Sequence, residues 1–151
     1  MNKFTANQLT WLDKLKTTKI HGYQLWCKGK MSALGVACEA FKIPFINRSE
    51  CREYRFLNVK KNNKTSLIEF KDYKMLNLYS PTGSFKIMTS FADSLDFTFN
   101  SITSLGSKSD ITNAGLYALL SDYPWMFFSN FNAPNNYSKI LKNITIETYL
   151  P

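Results

Sequence analysis

The stretch from Lys30 to Pro44, which reads KMSALGVACEAFKIP, constrains the fold of this chain more than any other. Its apolar residues recur at three- and four-residue spacing, which places them on one face of a helix. The Ser32 hydroxyl can cap the N-terminus of that helix, and Pro44 stops it because proline disfavours helical angles in the preceding residue. We therefore predict a short core helix. Its inward face consists of Leu34, Ala37, Cys38 and Phe41.

The three cysteines, Cys27, Cys38 and Cys51, are an odd number and show no paired spacing. We therefore expect all three thiols to be reduced. No histidine lies near Cys38 in the sequence to activate it, and buried cysteines are usually inert. The prediction for Cys38 is a packed core thiol rather than a reactive one.

Amphipathic patterns predict further helices on both sides of this stretch. Residues 4–18 predict an N-terminal helix in which Thr5 and Gln8 form a capping box. Phe4 and Leu9 fit the hydrophobic staple that accompanies such a box. Asp110 can cap a later helix that runs to residue 120.

Alternating and aromatic-rich segments predict strands. They are residues 23–27, 54–60, 65–71, 74–79, 125–128 and 144–150, whereas residues 46–52 are typical of a loop. The topology of residues 84–105 stays open. Together these segments predict an α+β fold with a mainly antiparallel sheet, an N-terminal helix and two or three packed helices. At 151 residues we expect a single domain, 1–151, whose core includes Trp11, Leu12 and Trp125.

The chain contains no apolar run near 18 residues, so no transmembrane helix is predicted. The first residues are charged and amphipathic and lack the hydrophobic segment of a secretion signal. We therefore expect a cytoplasmic location and no contact with a membrane. The oligomeric state stays open, a homo-oligomer included.

The net charge of +8 is concentrated in the first half of the chain. Residues 1–75 hold 15 lysines and arginines against 6 acidic residues, whereas residues 76–151 hold 4 against 5. All three arginines lie within eight consecutive residues. Such a field attracts anions: nucleic acid, nucleotides or an acidic protein surface. Solvating surface charge is the alternative interpretation.

An anion-binding site is therefore predicted in the first half, because guanidinium groups bind phosphate in a bidentate manner. The cations of this predicted site are Arg48, Arg52, Arg55, Lys28 and Lys30. The aromatic residues that could stack on a nucleotide base are Tyr23, Trp26 and Tyr54. For these three, packing in the core is the alternative.

The sequence contains no arrangement that indicates catalysis. A single histidine excludes a histidine-based metal triad, and the cysteine spacing does not match a zinc site. There is no phosphate-binding Walker loop, dinucleotide fingerprint or nucleophile elbow. We expect a non-enzymatic protein without metal or cofactor.

Two parts of the chain resemble small bacteriophage proteins of unknown function. These proteins open with W-x-x-x-L…G-x-Y-x-Q, continue with C-C-L-G-V-x-C-[DE], and later carry L-N-D, F-x-x-I-A and an aromatic ending. The resemblance covers residues 9–44 and 104–128. The residues that resemble these blocks are Trp11, Leu15, Gly22, Tyr23, Gln24, Leu34, Gly35, Val36, Cys38, Glu39, Leu105, Ile111, Ala114, Ala118, Trp125 and Phe127, with Gly22, Tyr23 and Gln24 consecutive in this chain. Ser32 and Ala33 replace the paired cysteines, and Gly106 and Ser107 replace the Asn-Asp pair.

The resemblance implies a phage accessory protein that acts in the cytoplasm of the host. Together with the basic first half, it favours an anti-defence protein that binds an anionic target, such as a nucleotide signal or an acidic host protein. A DNA- or RNA-binding regulator and a minor virion protein are the alternatives.

Overall fold

Helices supply most of the regular structure in the computed structural model, which describes residues 3–18, 22, 24–57, 68–86, 100–108 and 110–151. The α-helices in these ranges are α1 (Ala6–Thr17), α2 (Ala33–Ala40), α3 (Ile102–Lys108), α4 (Asn113–Asp122) and α5 (Tyr137–Lys142). Strands β1 (Phe45–Arg48) and β2 (Cys51–Tyr54) form an antiparallel sheet. The predicted α+β class with an N-terminal helix is confirmed. Among the residues that the structure describes, however, this sheet has two strands, fewer than the sequence suggested.

Helix α1 begins with the predicted capping box. The backbone N–H of Gln8 donates to the Thr5 hydroxyl at 3.1 Å, and the Thr5 N–H donates to the Gln8 side chain at 2.9 Å. Gln8 is fully buried, and its amide also donates to the Leu76 carbonyl at 2.9 Å and to Asn130 at 2.8 Å. A polar residue can be buried here because its hydrogen bonds are satisfied.

The predicted staple between Phe4 and Leu9 is wrong. Leu9 is 48% exposed, since the buried face of α1 is formed by Gln8 and by Trp11, Leu12 and Leu15. Phe4 instead packs its ring on two aromatic residues near the C-terminal end of the chain. These are Phe128, at 6.1 Å between ring centroids, and Phe131, at 4.8 Å.

Helix α2 confirms the central prediction. The Ser32 hydroxyl accepts a hydrogen bond from the Gly35 N–H at 3.2 Å, and the helix ends at Ala40, before the proline. Leu34, Ala37 and Cys38 are buried, as predicted. Phe41, the C-terminal cap, is only half-buried, so that part of the prediction is wrong.

The β1–β2 hairpin lies where the sequence predicted a loop, residues 46–52. Phe45 pairs with Tyr54 and Arg48 with Cys51, and the connecting Ser49 and Glu50 both adopt left-handed angles. The sequence did not reveal this hairpin because β1 is exposed on both faces and therefore shows no apolar alternation. The predicted strand 54–60 overlaps β2 only at Tyr54, and residues 58–60 lie outside the described part.

Three other predicted strands are short 3-10 helices. Tyr73–Leu76, Pro124–Met126 and Ile146–Tyr149 overlap the segments predicted as strands 74–79, 125–128 and 144–150, and the first two segments also pair through a single antiparallel bridge between Leu78 and Phe128. Burial of residues 125–128 is confirmed, Trp125 included. Short apolar runs fit buried turns as well as strands, which is why periodicity misassigned them. The predicted strand 65–71 shows no strand over residues 68–71, and residues 65–67 and 87–99 lie outside the described part.

The C-terminal helices differ from prediction in where they begin. Helix α4 is capped by Thr112, whose hydroxyl accepts from the Gly115 N–H at 3.1 Å, and not by Asp110. Asp110 lies two residues earlier in left-handed geometry. Helix α3 covers Gly106 and Ser107, the two residues that replace the Asn-Asp pair.

The core lies where α1 packs against α2 and α4, and the predicted core residues Trp11, Leu12 and Trp125 are buried there. It continues through Phe70, Phe127 and Phe128 to the C-terminal segment. None of the helices in the described ranges is long and apolar enough to span a bilayer.

Candidate functional site

Two tight turns lie side by side at one end of the fold. The first is Cys27 to Lys30, closed by hydrogen bonds of 2.8 and 3.0 Å between the backbones of its end residues. Its central residues, Lys28 and Gly29, both have positive φ, as in hairpin turns of type I′. The second is the β1–β2 turn. The Lys28 N–H donates to the Glu50 carbonyl at 3.0 Å, so each turn fixes the other.

A disulfide between Cys27 and Cys51 joins these turns covalently. The expectation of three reduced thiols is therefore wrong for this pair. Two residues 24 positions apart show no sequence pattern of a pair, because the turns that bring them together are set by tertiary contacts. Cys38 is the remaining thiol and is buried in α2; burial raises its pKa well above the usual value, as expected for an inert thiol.

The disulfide predicts a specific thiol count. Unfolded without reductant, the protein should react with one equivalent of a thiol reagent, at Cys38, and with three after reduction. A Cys38→Ala variant, the matched control, should show none before reduction. Native protein should not be labelled, since Cys38 is buried and protonated. Three reactive thiols in unreduced, unfolded protein would contradict the disulfide.

A cavity of about 630 Å³ opens beside the two turns, and we call it the turn cavity. Its walls come from both turns, from the segment before the first turn, and from the region where α3 ends and α4 begins. The lining residues are Gly22, Gln24, Cys27, Lys28, Lys30, Ser49, Cys51, Gly106, Ser107 and Asp110.

The charged residues of the turn cavity have no ion-pair partners among the described residues. Lys28, Lys30 and Asp110 are exposed, and no opposite charge in the described ranges lies within 4.0 Å of any of them. Two lysines and one aspartate thus line the same cavity without forming an ion pair with each other. A ligand with complementary groups could satisfy all three.

Arg52 takes part in a cluster with two aromatic rings and an acidic residue. Its guanidinium lies between the rings of Trp26, at 4.3 Å from the centroid, and Phe45, at 4.1 Å. It also pairs with the Glu39 carboxylate at 2.7 Å. The predicted arginine and aromatic residues therefore do meet, but they contact each other rather than an open surface.

The predicted stacking residues differ in their surroundings. Tyr54 is 1% exposed and its hydroxyl lies 3.5 Å from Arg52; burial raises the pKa of Tyr54 to about 12. Trp26 is half-buried with Arg52 over its ring. The core-packing interpretation fits Tyr54 best. Tyr23 lies outside the described residues.

Arg48 and Arg55 lie on the face of the hairpin opposite Arg52. Both approach the Glu53 carboxylate, Arg48 at 2.7 Å and Arg55 at 3.9 Å, and both side chains remain largely exposed. Cross-strand partners share a face, so Arg48 lies on the same side as Cys51 and its disulfide. The structure thus brings Lys28 and Lys30 together at the turn cavity, and it places Arg48 and Arg52 on opposite faces of the hairpin.

We expect Arg52→Ala to destabilise the protein by about 1–2 kcal/mol, because it removes a partly desolvated cation from two aromatic rings and from Glu39. Arg55→Ala is the matched control: its guanidinium is exposed, so its ion pair should contribute no more than about 0.5 kcal/mol. Urea denaturation monitored by tryptophan fluorescence measures both. Equal midpoints for the two variants would show that the stacked cluster contributes nothing.

A second cavity of about 340 Å³ lies beside this cluster. Arg52, Glu39 and Tyr54 line it, together with Lys42 and Phe45. Its most polar groups, Arg52 and Glu39, already pair with each other at 2.7 Å. This cavity therefore offers fewer unsatisfied charges than the turn cavity does.

Sequence reasoning missed the residues contributed by the C-terminal half of the chain. Asp110, Gly106 and Ser107 meet the first turn across about eighty residues of sequence, and no local signal links them. The described residues contain no group of three or more His, Cys, Asp or Glu side chains placed to hold a metal ion.

Comparisons of this chain with protein-family models, with curated proteins and with solved structures find no match.

Proposed function

We propose that this protein is a non-enzymatic binding protein for an anionic ligand such as a nucleotide, and that the turn cavity holds it. One observation carries the proposal: Lys28 and Lys30 line a cavity of about 630 Å³ without an ion-pair partner among the described residues. Cavities of roughly 300–1,000 Å³ are typical of small-molecule sites.

The construction of the two turns supports this proposal. The disulfide and the hydrogen bond from Lys28 to Glu50 hold the backbone that carries both lysines. A pre-organised site loses less conformational entropy when a ligand binds. Ser49 and Gln24 line the same cavity, and a serine hydroxyl and a glutamine amide can donate to phosphate oxygens.

A biological role in blocking host defence belongs to the same proposal. Its support is the resemblance of residues 9–44 and 104–128 to small phage proteins; the turn-cavity residues Gly22 and Gln24 belong to the first of these blocks. Such a protein would sequester a nucleotide signal stoichiometrically, without converting it.

The test is calorimetric titration with inorganic pyrophosphate and with nucleoside monophosphates, together with thermal shift. Lys28→Asn and Lys30→Gln should each weaken binding by about 1.5–3 kcal/mol, the range for hydrogen bonds to charged groups. Asparagine is chosen at position 28 because it tolerates left-handed angles. Lys74→Ala, at an exposed lysine outside the cavity, is the control and should bind like the unsubstituted protein.

Three results would count against the proposal. The first is binding that the cavity variants leave unchanged. The second is turnover of the bound nucleotide, which would indicate an enzyme. The third is a preference for duplex DNA with a steep salt dependence, which would favour the nucleic-acid alternative through the exposed Arg48 and Arg55.

A further inference from the structure

Asp110 is an acidic residue of the turn cavity, and a purely anionic ligand is not complementary to it. Asp110 lines the cavity with Lys28 and Lys30, and its carboxylate lies more than 4.0 Å from both ammonium groups. The next two residues fix its position, because Ile111 is fully buried and Thr112 caps α4.

The chemistry of a carboxylate restricts what can lie beside it. An ionised aspartate only accepts hydrogen bonds, and it repels a phosphate group. A ligand that displaces water from Asp110 must therefore present hydrogen-bond donors to it and direct its anionic group to the lysines. Inorganic phosphate or pyrophosphate meets only half of this requirement.

We infer that the turn cavity selects a nucleotide whose phosphate binds Lys28 and Lys30 and whose second end offers Asp110 two adjacent donors. This inference rests on the proposed function and names the ligand class of the same site. Two parts of a nucleotide carry such a donor pair: the N1–H and N2–H groups of guanine and the 2′,3′-diol of ribose. The other bases place an acceptor next to their donor, which a carboxylate rejects.

Asp110→Asn provides a test, because the substitution should change the affinities of two ligands in opposite directions. Asparagine keeps the left-handed backbone but loses the charge and one acceptor. Guanosine 5′-monophosphate should bind roughly tenfold or more weakly to this variant, as expected for a lost hydrogen bond to a charged group. Pyrophosphate should bind more tightly, because a repulsive charge is removed. Asp13→Asn, at an exposed residue of α1, is the control and should change neither ligand.

The source of the donor pair is resolved by four ligands: GMP, dGMP, AMP and dAMP. Preference for GMP and dGMP over the adenine nucleotides assigns the pair to the base. Preference for GMP and AMP over their deoxy forms assigns it to the ribose diol. The inference would be overturned if the nucleotides bound no better than pyrophosphate. It would also be overturned if Asp110→Asn bound both GMP and pyrophosphate more tightly than the unsubstituted protein does. Pyrophosphate binding that Lys28→Asn leaves unchanged would instead reject the proposed function itself.

Discussion

Trp11→Ala should destabilise the protein by about 3–5 kcal/mol, the usual cost of emptying a large buried aromatic site. Trp11 is fully buried in α1, and its indole N–H donates to the carbonyl of Ala33 at 2.8 Å. Its ring also contacts Phe128 edge-to-face, with 6.2 Å between centroids. One side chain thus joins α1, the first residue of α2 and the C-terminal half of the chain.

Two variants separate the contributions of Trp11. Trp11→Phe retains much of the packing but removes the indole N–H that donates to the Ala33 carbonyl, which should cost about 0.5–1.5 kcal/mol. Leu9→Ala is the control in the same helix; Leu9 is half exposed, so its effect should stay within about 0.5 kcal/mol. Urea denaturation gives each value. Equal losses for Leu9→Ala and Trp11→Ala would contradict the orientation of α1.

Gly35→Ala should destabilise the protein by about 3 kcal/mol or more, beyond the usual range for overpacking. A Cβ atom on Gly35 would lie 1.7 Å from the Leu25 carbonyl oxygen and 2.6 Å from its carbon. Both are backbone atoms, so no side chain can rotate away to relieve the clash. Helix propensity alone predicts that Gly35→Ala would stabilise the protein, because alanine is favoured over glycine inside a helix by roughly 0.5–1 kcal/mol.

Gly29→Ala is the matched control for this substitution. No atom lies within 4 Å of a Cβ added at Gly29, which leaves only its left-handed backbone, φ 79°, as a source of strain. The cost should be about 1–2 kcal/mol. If Gly35→Ala were as stable as the unsubstituted protein, α2 could not approach residue 25 as closely as the structure indicates.

The candidate site was only partly predictable from the sequence. Lys28 and Lys30 were identified from the concentration of positive charge, and both line the turn cavity. The sequence predicts that the three arginines act together, but the alternation of side chains along β2 places Arg52 on one face and Glu53, which Arg48 and Arg55 approach, on the other. Since the hairpin itself was not predicted, this separation could not be.

Elements with local signals could be predicted from the amino-acid sequence alone. Residues 5 and 8 form the cap of α1, Ser32 and Pro44 bracket α2, and the apolar spacing of α2 marks its buried face. Each of these depends on residues within one or two helical turns of each other, so the information lies in a short window.

Features that join distant segments depend instead on how the chain packs in three dimensions. They are the Cys27–Cys51 disulfide, the stacking of Arg52 between Trp26 and Phe45, and the position of Asp110 in the turn cavity. Local patterns do not predict them, because short apolar segments suit a strand or a buried 3-10 turn equally well. Contacts with the rest of the core determine whether such a segment forms a strand or a 3-10 turn. The resulting structure determines which side chains come into contact.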